Sequence, residues 1–169
     1  MKVLLIGGAP NTGKTNAVAI CAHYLINQSF TLLDCQDING NKMQLPKIAN
    51  GVNAPNDFLA RLEGFDRNKK RVSVIITSAS DTDVIIDNNL KYLQKQNCDI
   101  YVSSVRDIGP ERKYLFTKFK FNTDNNGLIE FPLAKMSRKN QNWYTAKKWY
   151  DTTVKKMLET ILGSNLFNI

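Results

Sequence analysis

The chain has 169 residues, 43% hydrophobic and 22% charged, with 23 Lys/Arg against 15 Asp/Glu and a formal net charge of +8. This is the composition of a soluble globular protein, and at this length one domain spanning residues 1–169 with a full core is expected. No apolar run approaches the roughly 20 residues of a membrane span, so the sequence points away from a membrane partner and towards a cytoplasmic location.

The elements follow in chain order. Residues 2–7, Lys-Val-Leu-Leu-Ile-Gly, read as a short buried strand, too short for a signal-peptide core. Gly8-Ala9-Pro10-Asn11-Thr12-Gly13-Lys14-Thr15 comes next, with the spacing G-x-x-x-x-G-K-[ST], and residues 14–27 read as a helix. A strand, a glycine turn and a helix N-terminus together make a phosphate cradle. Unpaired N–H groups of the loop and first turn point outward, and the helix dipole adds partial positive charge. Gly8 and Gly13 allow backbone conformations and close approach that a side chain would block.

On these residues the chain resembles the P-loop NTPase superfamily. The resemblance is sharp over residues 2–27 and diffuse beyond. It implies binding of ATP, or another nucleoside triphosphate, by residues Gly8, Ala9, Pro10, Asn11, Thr12, Gly13, Lys14, Thr15 and Asn16. Lys14 would reach the β- and γ-phosphates, and the Thr15 hydroxyl would sit on Mg²⁺.

Residues 30–35 read as a second strand. A long polar stretch follows from Gln36 to Asn56, and a connection of that length is usually functional. Asn53 or Asn56 can cap a short helix carrying Phe58, Leu59 and Leu62. Residues 72–77 read as the clearest central strand. Asp81-Thr82-Asp83 then supplies cap candidates for a helix with Ile86, Leu90 and Leu93 on one face. Residues 99–105 read as another strand, and Pro110 opens a helix with Leu115, Phe116 and Phe119 as its apolar side. The turn cluster 122–127 separates Phe119-Lys120-Phe121 from residues 128–131, which allows a hairpin. The last helix is expected at 141–162, with Trp143, Ala146, Tyr150, Val154, Met157 and Ile161 as its stripe.

Strands alternating with helices predict an α/β fold with a mostly parallel central sheet flanked by helices in three layers. The ligand is expected at the carboxyl ends of the strands. The acid that normally supports a P-loop metal ion ends a central strand, but residues 72–77 contain none. Asp81 is the nearest substitute, with a plain helix cap as the alternative; Ser78 and Ser80 can instead bind a metal-bound water or phosphate oxygens. Asp34 and Asp37 follow the second strand. In many P-loop kinases an acid near this place faces the acceptor hydroxyl, a role the resemblance assigns best to Asp37; the alternative is a turn aspartate. Arg106 closes the strand 99–105 and is similar to the arginines that clamp phosphates in small P-loop kinases; Arg112 follows, and either can instead form an ion pair.

The three cysteines make no C-x-x-C pair and read as free thiols. His23, the only histidine, reads as structural. Residues 106–169 hold 12 of the basic and 6 of the acidic residues, so a polyanion would meet the C-terminal part. Tyr144, Lys147, Lys148, Trp149, Lys155 and Lys156 offer a stacking-and-phosphate surface there, although a solvated basic helix face explains them more simply.

Three functions fit. One is a small Mg²⁺-dependent phosphotransferase, similar to the nucleoside and nucleotide kinases, with an anionic small molecule among the acceptors it can take. Another is a nucleic-acid-associated ATPase, that is, an NTP hydrolase. The third is a nucleotide-dependent switch with low turnover. The guanine-reading N-K-x-D is absent, which argues against a GTPase switch.

Overall fold

The computed structural model describes residues 1–48, 56–121, 127–135 and 143–169. Lys2–Gly7 forms β1, and its Val3, Leu4, Leu5 and Ile6 are fully buried. Alternation along this strand decides the layers, because successive side chains point to opposite faces. Leu4 and Ile6 pack with α1 (Lys14–Asn27) and α4 (Trp143–Leu162). Val3 and Leu5 pack with α2 (Asp83–Gln94) and α3 (Pro110–Phe119). α1 is rich in small side chains, and Ala17, Ala19 and Ala22 let it lie close against the sheet.

The sheet has six strands in the order β2-β3-β4-β5-β1-β6. β2 is Thr31–Gln36, β3 Leu59–Phe65, β4 Arg71–Thr77, β5 Ile100–Val105 and β6 Leu128–Pro132. β4, β5, β1 and β6 run parallel to one another, whereas β3 is antiparallel to both β2 and β4. The protein is therefore α/β, with a mostly parallel sheet flanked by helices. No helix among the described residues is long and apolar enough to cross a membrane.

Three local expectations are corrected. The short helix over Phe58, Leu59 and Leu62 is strand β3. Apolar residues at 58, 59 and 62 suit either element, and pairing along both edges of the strand decides in favour of the sheet. The hairpin between residues 119–121 and 128–131 does not form. Phe119 closes α3, Phe121 packs near Tyr101, and Leu128–Pro132 joins β1 in parallel. On α4 the buried positions are Val154, Leu158 and Leu162, and Tyr150 and Ile161 of the expected stripe pack against the same core, whereas Met157 is left 47% exposed and Ala146 also exposed. The stripe is rotated because α4 packs against α1 through that ridge. The Asn53 cap, the turn at 122–126 and the side chains of Trp143 and Tyr144 lie outside the described residues.

The remaining elements form as their local signals require. Thr82 caps α2 by accepting from Ile85 N, Asp83 places an acid in the first turn, and Pro110 opens α3. Asp66 accepts from Asn68 N and Lys70 N, closing the β3–β4 hairpin.

Candidate functional site

The glycine-rich loop leaves β1 at the carboxyl edge of the parallel strands and is tied down on two sides. Gly8 N donates to Val105 O at 3.2 Å, and Leu133 N donates to Gly7 O at 2.8 Å. Thr12 folds back inside the loop, its hydroxyl donating to Ala9 O at 2.9 Å. Asn11 and Gly13 both take positive φ, 62° and 91°, so the turn bends sharply into α1. Gly8 is required by close approach, since a Cβ there would sit 2.4 Å from Thr12 Oγ1. No side chain caps α1 at Gly13, and its first turn holds no acid. That end of the helix is thus suited to an external anion.

Lys14 curls over the loop, its ammonium donating to Gly8 O at 2.9 Å and Ala9 O at 3.0 Å. Burial holds its pKa below the ordinary lysine value; Asp81 opposes the shift, Arg106 adds to it, and Asp107 and Asp57 oppose it. These residues gather at the ends of β4 and β5 and the start of β3. Arg106 Nε lies 3.4 Å from Asp81 Oδ1, an open pair with both side chains at least a third exposed.

Thr15 has a partner that sequence reasoning missed. Its hydroxyl donates to Asp57 Oδ1 at 3.0 Å, and the Ser78 hydroxyl donates to the same oxygen at 3.0 Å. Because β3 runs antiparallel, its beginning lies at the carboxyl end of β4. An acid placed before a strand therefore reaches the edge where one placed after a parallel strand would be sought. The pairing of β3 with β4 is the signal that finds it, and that pairing is long-range.

The other expected residues are placed elsewhere. Asp37 accepts from Asn39 N, Asn41 N and Asn41 Nδ2, and these bonds, Asn41's side chain foremost, hold its pKa below the usual carboxylate value. It acts as a turn aspartate, and it is not among the charges that act on Lys14. It also lines an open cleft with Thr77, Ala79, Ile85 and Asn89. That cleft is on the α2 side of the sheet. Ser78, by alternation with Thr77 and Ala79, turns Asp57 to the α1 side. Asp34 accepts from the Tyr92 hydroxyl at 2.8 Å. Arg112 forms a two-pronged pair with Glu130 of β6. His23 Nε2 is 2.9 Å from Pro46 O, and the three cysteines are free thiols.

Among the described residues no three His, Cys, Asp or Glu side chains gather to hold a metal ion unaided. The Thr15 hydroxyl and Asp57 carboxylate are hard oxygen donors that suit Mg²⁺ as a minority of its ligands, with phosphate and water as the rest. Comparison of the chain with protein-family models, with curated proteins and with solved structures gave no match.

Proposed function

We propose that this protein is a P-loop nucleoside-triphosphate-binding protein, with ATP as its ligand, that acts as a small Mg²⁺-dependent phosphotransferase. One observation carries the reading: the Lys14 ammonium, the Thr15 hydroxyl and the Asp57 carboxylate converge beside an uncapped helix N-terminus. Phosphoryl transfer asks a protein mainly to position phosphates and neutralise charge. Here the loop N–H groups and Lys14 would bind the phosphates. Thr15 and Asp57 would hold Mg²⁺, which when bound supplies charge neutralisation at the phosphate oxygens. Asp81 takes an outer place in this scheme, and Arg106, now paired with it, would turn to the γ-phosphate. The phosphoryl acceptor in this reading is a small molecule.

The test follows labelled γ-phosphate of ATP with Mg²⁺ in the presence of nucleosides, nucleotides and other small metabolites, with Lys14→Ala as control. Label on a small acceptor supports the reading. Unchanged ATP affinity in Lys14→Ala would sink it.

One observation favours a second reading, an ATPase working on nucleic acid. Trp149 is 68% exposed on α4, next to Lys148 in sequence and on the same helix face as Lys156 two turns on, in the strongly basic part of the chain. Label released as free phosphate, faster with single-stranded DNA or RNA, would favour it.

A further inference from the structure

The structure assigns Ser78 as the residue that positions Asp57, an assignment that rests on the reading of the site proposed above. The antiparallel ladder of β3 and β4 ends at the pair Leu59 and Thr77. One step beyond, Ser78 N donates to Phe58 O at 2.9 Å, and Phe58 N donates to Ser78 Oγ at 2.9 Å. The serine hydroxyl thus stands where a backbone carbonyl would continue the ladder. Having accepted there, the hydroxyl has one proton to give. Asp57 Oδ1 lies at 3.0 Å and Phe58 O at 3.4 Å. The nearer, ionised acceptor makes the stronger bond. The residue that fastens the Phe58 backbone therefore also fixes the carboxylate one position earlier.

Ser78 is itself held rigidly. It is 4% exposed, and Ser104 Oγ donates to its carbonyl at 2.8 Å from the end of β5. Ser80 Oγ in turn donates to Ser104 O at 2.7 Å. Asp57, by contrast, is exposed and sits outside any strand. Without the serine an exposed carboxylate would sample several rotamers. With it, Oδ1 is shared between the Ser78 and Thr15 hydroxyls, and Oδ2 accepts no hydrogen bond among the described residues. Ser78 would not touch the ion or the nucleotide; it presets the acid that does. A partner of a metal-binding group is commonly worth a large factor in metal affinity.

The experiment titrates Mn²⁺ into the full chain with a non-hydrolysable ATP analogue, and separately titrates the analogue without metal. Ser78→Ala is expected to weaken Mn²⁺ binding by about tenfold, with metal-free analogue affinity unchanged. Ser78→Thr, which keeps the hydroxyl, is expected to restore it. Ser78→Cys keeps the volume with a weak donor and serves if Ser78→Ala folds poorly. In an Asp57→Asn background the Ser78 change is expected to add nothing, since its effect passes through that carboxylate. Full Mn²⁺ affinity in Ser78→Ala or Ser78→Cys, or an equal further loss in the Asp57→Asn background, overturns the assignment while the site reading stands. A wild-type chain that binds neither the analogue nor Mn²⁺ overturns both.

Discussion

Thr15 and Asp57 are 42 positions apart in the chain, yet the Thr15 hydroxyl donates to Asp57 Oδ1 at 3.0 Å. The bond joins the first turn of α1 to the start of β3 and sets an acid beside the residue that follows Lys14. Asp81, the acid expected from the sequence, is 50% exposed and turned to Arg106. Asp57→Asn is therefore expected to lower Mg²⁺-dependent turnover by about a hundredfold. Asp81→Asn, which frees Arg106 and leaves Thr15 and Asp57 intact, is expected to cost less. Turnover of both variants against Mg²⁺ concentration checks this, and a larger loss in Asp81→Asn returns the metal to Asp81.

Lys14 gives the site a pH dependence of definite sign. Burial, the leading cause, holds its folded pKa below the ordinary 10.5. A lysine so depressed binds fewer protons folded than unfolded. Its cost to stability is full below the folded pKa and disappears as pH rises from there to 10.5. Ligand binding has the opposite sign, because phosphate needs the ammonium. ATP affinity is expected to fall as pH rises through the depressed Lys14 value, with protons taken up on binding in that range. Calorimetry in buffers of different ionisation enthalpy reads both effects. Lys14→Arg, charged throughout, is expected to flatten the profile, and a wild-type profile flat up to 10.5 contradicts the assignment.

Much of the fold was legible because its signals are local. β1, the glycine turn and α1 lie within one stretch of sequence, and Thr82 and Pro110 mark the starts of their helices unaided. β3 was not legible, since Phe58, Leu59 and Leu62 suit a helix as well as a strand until β2 and β4 are beside them. Asp57 was hidden for the same reason, because its place depends on which way β3 runs. The turn at Asp66, with Lys69 at φ 62°, did carry a local hairpin signal. On α4 the helix was legible but its inward face only in part, with Tyr150, Val154 and Ile161 packed on the core as the stripe requires. Met157 and Leu158 are equally apolar, and only contact with α1 chooses Leu158.

Gly64 shows how tightly that unforeseen strand is packed. A Cβ there would stand 2.5 Å from Cγ of Phe30, whose ring is 3% exposed. The glycine lets the ring lie against the β3 backbone. Gly64→Ala is expected to destabilise the fold by about 1–3 kcal/mol, the usual cost of overpacking. Pairing it with Phe30→Leu should recover part of the loss. Denaturant unfolding of the two single variants and the double reads the coupling, and strictly additive losses would show that the ring is not the obstacle.

The basic face of α4 decides between the two proposed functions. Lys147 pairs with Asp151, and Lys155 Nζ is 3.9 Å from Glu159 Oε1. Lys148 and Lys156 have no ion-pair partner among the described residues, and Trp149 beside them is 68% exposed. If the chain works on single-stranded nucleic acid, these two lysines are the ones able to displace counterions from it. Lys148→Glu with Lys156→Glu is then expected to flatten the dependence of log affinity on log salt by about 1.4, at roughly 0.7 per phosphate contact. Trp149→Ala is expected to cost about 1–3 kcal/mol of stacking independent of salt. Under the phosphotransferase reading all three residues are solvated surface. ATP affinity, and transfer of label to a small acceptor, then stay at the wild-type level in every one of these variants. Fluorescence anisotropy with a labelled oligonucleotide across a salt series gives the salt slope and the stacking loss. A wild-type chain with no affinity at low salt removes the nucleic-acid reading, because electrostatic attraction is strongest there.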